Sequence, residues 1–91
     1  MSVKETEAIF TIVFRNIALS NWANLLPEAQ LQMLEEVAGL INCEALLFGK
    51  KQQLALRLYG LQSYVTEVQR ERIIQILALL KKPVVAELNC A

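Results

Sequence analysis

Residues 66–83 read T-E-V-Q-R-E-R-I-I-Q-I-L-A-L-L-K-K-P, and this stretch decides the fold class. Thr66 and Gln69 hold the two positions of a capping box, where a side-chain oxygen at each satisfies an amide at the other. Glu67 opens the helix and Lys81 and Lys82 close it, each charge complementing the nearby end of the helix dipole. Pro83 is expected to end it. The second half, I-I-Q-I-L-A-L-L, is apolar almost all round, and a helix of that kind is buried on more than one side. Its neighbours are either the rest of its own domain or a second copy of the chain.

Immediately upstream, residues 51–65 read K-Q-Q-L-A-L-R-L-Y-G-L-Q-S-Y-V. Leu54, Leu56 and Leu58 alternate as in a strand, which leaves open an α+β alternative with a short hairpin around residues 45–58. Leu54, Leu58, Leu61 and Val65 instead step by four, three and four, a helical seam. Leu, Ala, Gln and Arg are helix formers and none is β-branched, so a helix over about 51–64 is the reading adopted.

Further back, Pro27 suits the first turn of a helix. Leu31, Leu34, Ala38, Ile41, Ala45 and Phe48 then mark an apolar stripe through a helix of about 27–48, with a second stripe at Met33, Val37, Leu40 and Leu47. Gly39 interrupts it: either another helix crosses closely there, or Asn42 restarts the helix. Gly49 reads as its left-handed end, followed by Lys50 and Lys51. The N-terminal helix, about 3–19, starts from a Ser2–Glu5 capping box. It carries a polar stripe at Lys4, Glu7, Thr11 and Arg15, opposite a wide apolar face that includes Phe10, Val13, Phe14 and Ile17. Between these two helices, S-N-W-A-N-L-L reads as a corner in which Trp22 plugs the core end with its indole N–H hydrogen-bonded at the rim.

The expected architecture is therefore all-α: a single domain over residues 1–91, a small four-helix bundle built as two αα-hairpins, with helices at about 3–19, 27–48, 51–64 and 66–82 and a tail at 83–91. An offset of 39 residues lays L-P-E-A-Q-L-Q-M-L-E-E-V-A-G-L-I over V-T-E-V-Q-R-E-R-I-I-Q-I-L-A-L-L. Gln30 falls on Gln69 and Leu34 on Ile73; the offset is the size of a two-helix repeat, but two helices with similar caps and apolar periods match this well by chance.

Composition removes most chemistry. The chain has no histidine and no aspartate, so Ser-His-Asp and Cys-His catalysis are absent. Cys43 and Cys90 alone cannot supply a structural zinc site, and glycines at 39, 49 and 60 are too far apart for a phosphate loop. Cys43, read as mid-helix, is expected to be a buried, inert thiol. Neither a catalytic residue nor a metal or cofactor is assigned, and the chain is read as no enzyme.

Nine Lys and Arg balance nine Glu, which leaves no basic footprint for nucleic acid. No apolar run approaches the roughly 20 residues of a membrane span, and two cysteines suit a reducing, cytoplasmic setting. What remains is an excess: 55% of residues are apolar, more than a core of this size hides. The function expected is a protein–protein interaction module, a small adaptor, assembly factor or regulator, acting as a homodimer or docked on a larger protein. Phe10, Phe14, Val37, Leu40, Ile74 and Leu79 are the candidate interface residues. The alternative is a helix-turn-helix-like nucleic-acid-binding regulator that presents Gln69, Arg70 and Arg72 from helix 66–82.

Overall fold

The computed structural model describes the backbone of residues 2–90 and the side chains of residues 2–80. Its regular structure is helical: α1 (Val3–Asn16), α2 (Leu19–Trp22), α3 (Pro27–Ile41), α4 (Phe48–Leu61) and α5 (Glu67–Cys90), with a 3-10 turn at Gln62–Tyr64. No strand occurs among the described residues, so the hairpin alternative for 45–58 falls and the all-α bundle stands. The seam that decided between them is helical in fact, since Leu54, Leu58 and Leu61 are buried while Leu56 is exposed.

α3 and α5 form the centre of the bundle, with α1 packed on α3 and α4 packed on α5. This gives the two expected αα-hairpins, joined through their second helices. The smallest extent, 17 Å, fits two layers of helices with axes about 8–10 Å apart. Leu34, Val37, Leu54, Leu58, Ile73 and Ile76 are wholly buried and form one cluster with Val13, Ile17 and Trp22. α1 is tied to α4 by a paired stack: Phe10 and Phe14 lie 5.2 Å apart, Lys50 sits 5.0 Å above the first ring and Arg57 3.8 Å above the second. Cations over aromatic faces contribute about 0.5–2 kcal/mol each, according to how far they are desolvated.

The start of α5 matches its sequence reading. Gln69 N–H donates to the Thr66 hydroxyl at 3.2 Å, and Thr66 N–H donates to Gln69 Oε1 at 3.0 Å. Gln69 then extends inward. Its Nε2 donates to Gln30 Oε1 at 3.0 Å, and Gln30 Nε2 donates to the Trp22 carbonyl at 3.0 Å. One chain of amides thus links α2, α3 and α5. Gln30 and Gln69 are matched by the 39-residue offset, and burial follows the same match. Residues 34, 37 and 38 are buried, as are 73, 76 and 77, while 31, 32, 35 and 39 are exposed, as are 70, 71, 74 and 78. The likeness stops at this helix pair: Ile17 is buried where Leu56 is exposed.

Several boundaries differ from the sequence reading. α1 stops at Asn16, where the Asn21 side chain donates to the Arg15 carbonyl at 2.8 Å and closes the last turn; α2 then fills part of the expected corner. α3 ends at Ile41 and not near 48, because the chain turns through Asn42 and Cys43 and buries Leu46 in place of Ala45 and Phe48. α4 consequently begins at Phe48, and Gly49 lies in its first turn; no glycine has a positive φ. Lys50 and Lys51 therefore stand at a helix N-terminus and not at the C-terminal end expected for them. α5 continues through Pro83 to Cys90: the proline forfeits one hydrogen bond, but its φ near −65° is within the helical range. Trp22 plugs the core at 1% exposure, yet its indole N–H has no partner among the described residues, contrary to the rim hydrogen bond expected.

Gly39 sits on the solvent side of α3, and a Cβ added there meets nothing within 4 Å. No helix crosses at this point; the break comes at Asn42. Gly39→Ala is expected to stabilise the fold by about 0.5–1 kcal/mol, the helix-interior difference between the two residues. For a domain of this size that is a rise in Tm of roughly 2–8 °C, measurable by circular dichroism.

Candidate interaction surface

The six residues singled out from the sequence separate into groups. Val37 is fully buried, Leu40 is 3% exposed and Phe10 is 6% exposed, so these three face the chain's own core. α1 covers the second stripe of α3, and this is why Val37 and Leu40 are not left over. Phe14 is half-buried under Arg57, and Leu79 is half-buried against the core. Only Ile74 stands clear, at 54% exposure, while its neighbour Ile73 is fully buried.

Among the described residues α4 carries three of the twelve large exposed apolar side chains, more than any other helix, and the sequence reading passed it over. Phe48, Leu56 and Tyr59 fall at eight- and three-residue steps along one outer face and are 54%, 70% and 50% exposed. Leu47 extends this face at its N-terminal end. Ile74 of α5 and Tyr59 line one shallow groove on one side of the α4 ridge. On the other side, a groove of about 460 Å³ runs between α4 and the α1–α2 corner, lined by Phe14, Ile17, Leu19, Leu56, Arg57 and Gly60 among others. The accessible surface of 6013 Å² exceeds the about 5,400 Å² expected of a globular chain of 10.3 kDa.

Charge is distributed unevenly over the same helices. α3 carries Glu28, Glu35 and Glu36 and no cation, whereas α4 carries Lys50, Lys51 and Arg57 and no acid. No acidic residue occurs between Glu44 and Glu67. α1 and the described part of α5 carry both signs. Arg57 is fixed in place: its guanidinium stacks on Phe14, and one of its nitrogens donates to the Phe14 carbonyl at 3.3 Å. Its remaining N–H groups make no hydrogen bond among the described residues.

The groups that chemistry or nucleic-acid reading would need are mostly engaged. Gln69 is 5% exposed and committed to Thr66 and Gln30. Arg72 makes two hydrogen bonds of 2.7 Å to Glu35, and these hold the Glu35 carboxyl below its usual pKa. Arg70 donates to the Gln62 carbonyl. Cys43 lies in the connection after α3 and not inside a helix. The Thr6 hydroxyl at 3.7 Å, the Ala45 and Leu46 amides and the charge of Lys51 together bring its thiol pKa down. Among the described residues, no three His, Cys, Asp or Glu side chains are placed to hold a metal ion. None of the helices there is long and apolar enough to cross a membrane. Cys90 lies outside the residues whose side chains are described.

No protein-family model matches the chain, and no curated protein or solved structure shows significant similarity to it.

Proposed function

We propose that this protein is a non-enzymatic protein–protein interaction module, an adaptor, assembly factor or regulator, that works as a homodimer through the outer face of α4. The observation that carries the reading is the run Phe48, Leu56 and Tyr59, half or more exposed along one helix face and continued by Ile74. Isolated exposed apolar residues are ordinary, but three on one helix face, flanked by two grooves, are the kind of anchor set that helix-mediated recognition uses. The cationic, acid-free character of α4 adds electrostatic selectivity, which suppresses wrong partners more than it adds affinity. Reading of nucleic acid by α5 gains nothing from the geometry, because Gln69 and Arg72 are bound within the chain.

Replacing Leu56 and Tyr59 together by Ser tests the reading. Both are exposed in one copy, so the fold of a dilute sample should keep its thermal midpoint to within about 2–4 °C, the shift that roughly 0.5 kcal/mol gives in a domain of this size. Self-association, followed by light scattering over a dilution series, should weaken at least tenfold, roughly the loss of one good interface anchor. Unchanged association would remove α4 as the contact surface.

A further inference from the structure

We infer that the groove beside α4 receives the outer face of α3 from a second copy of this chain. The inference rests on the homodimer reading above and names its contact. The groove is apolar apart from Gln53 and Arg57, and Arg57 is its charged residue. Stacking on Phe14 and the hydrogen bond to the Phe14 carbonyl fix the plane of the guanidinium and use one of its five N–H donors. What such a site accepts is a carboxylate flanked by an aliphatic side chain, presented on a helix.

The outer stripe of α3 has that chemistry. Glu28, Leu31 and Glu35 share it, all exposed, with Leu31 at 44% and Gly39 further along. Glu35 is held by Arg72; Glu28 makes no ion pair among the described residues. α3 has 15 residues, about 22 Å, enough to span the groove along the Gln53–Leu61 part of α4. Charge selects this pairing over its rivals. Two α4 helices packed groove to groove would bring Arg57 of each copy together with no acid on either helix, and two α3 outer stripes would bring Glu28 and Glu35 of each copy together. α3 on α4 sets Glu28 against Arg57. Made reciprocally, the contact occurs twice about a two-fold axis and closes as a dimer. It also accounts for the opposite single signs of α3 and α4 in a chain of zero net charge.

A charge swap on the full chain tests this. Arg57→Glu and Glu28→Arg are prepared separately, their folding is checked by circular dichroism, and each is run in sedimentation equilibrium alone and as an equal mixture. Each variant alone pairs like charges at both contacts, and should dissociate at least about tenfold more readily than wild type, the scale of one charge-assisted hydrogen bond. In the mixture both contacts regain opposite charges, and a heterodimer should form within a few-fold of wild-type affinity. Glu28 is exposed and makes no contact in the core, so its variant keeps the test valid if Arg57→Glu loosens the stack on Phe14. If wild type dimerises and the variants dimerise equally well, or the mixture fails to recover, the α3-on-α4 contact is wrong and the dimer reading survives. A wild type that stays monomeric in the same runs removes the dimer reading itself.

Discussion

Ile73→Ala is expected to cost about 2–5 kcal/mol, whereas Ile74→Ala costs less than about 1 kcal/mol in the monomer. The two are adjacent, chemically identical and on the same helix. Ile73 is 0% exposed and packs where α5 meets α3, so truncation leaves a cavity that the surrounding helices fill only in part. Ile74 is 54% exposed and loses only part of a side chain already half in water. A domain of this size has a total stability of roughly 5–14 kcal/mol, so the first substitution removes a large share of it. Urea unfolding at one fixed low protein concentration separates them: a large drop in midpoint for Ile73→Ala, little for Ile74→Ala, and a similar slope for both. Equal midpoints would mean that the faces of α5 are assigned wrongly.

Trp22→Ala is the other large effect, about 3–5 kcal/mol by loss of the largest wholly buried side chain. Its particular feature is the indole N–H, buried without a partner among the described residues. A buried donor left unsatisfied costs about 1–3 kcal/mol, so wild type carries that penalty already. Trp22→Phe keeps most of the apolar volume and removes the donor. It should therefore cost much less than Trp22→Ala, with the two effects close to offsetting. A Trp22→Phe variant as unstable as Trp22→Ala would show that the N–H does find a partner, such as an ordered water, which the phenyl ring then deprives of its donor.

What could be read from the residues was what depends on local chemistry. The Thr66–Gln69 box, the buried seam Leu54–Leu58–Leu61 and the core positions of α5 follow from caps and helical periods, and all three are present. The connection after α3 was legible only as one of two readings of Gly39 and Asn42, because residues 42–47 contain no proline or glycine. Asn42 to Leu47 continue an apolar period that a helix would also have used. The turn is set by tertiary packing, which prefers Leu46 in the core to Ala45 and Phe48. The same missing information misplaced Val37, Leu40 and Phe10. A helix read alone shows how wide its apolar face is, but not which neighbours cover it, and α1 and α4 cover these. α4 itself was passed over although the adopted seam of Leu54, Leu58 and Leu61 leaves Leu56 and Tyr59 off its buried side.

The central claim is that the apolar surplus on α4 is covered by a second copy, and the mass of the wild-type chain in solution tests it most directly. Sedimentation equilibrium at micromolar and sub-micromolar concentrations should give twice 10.3 kDa at the higher range, falling toward 10.3 kDa on dilution. A mass of 10.3 kDa throughout, with no dependence on concentration, would contradict the claim.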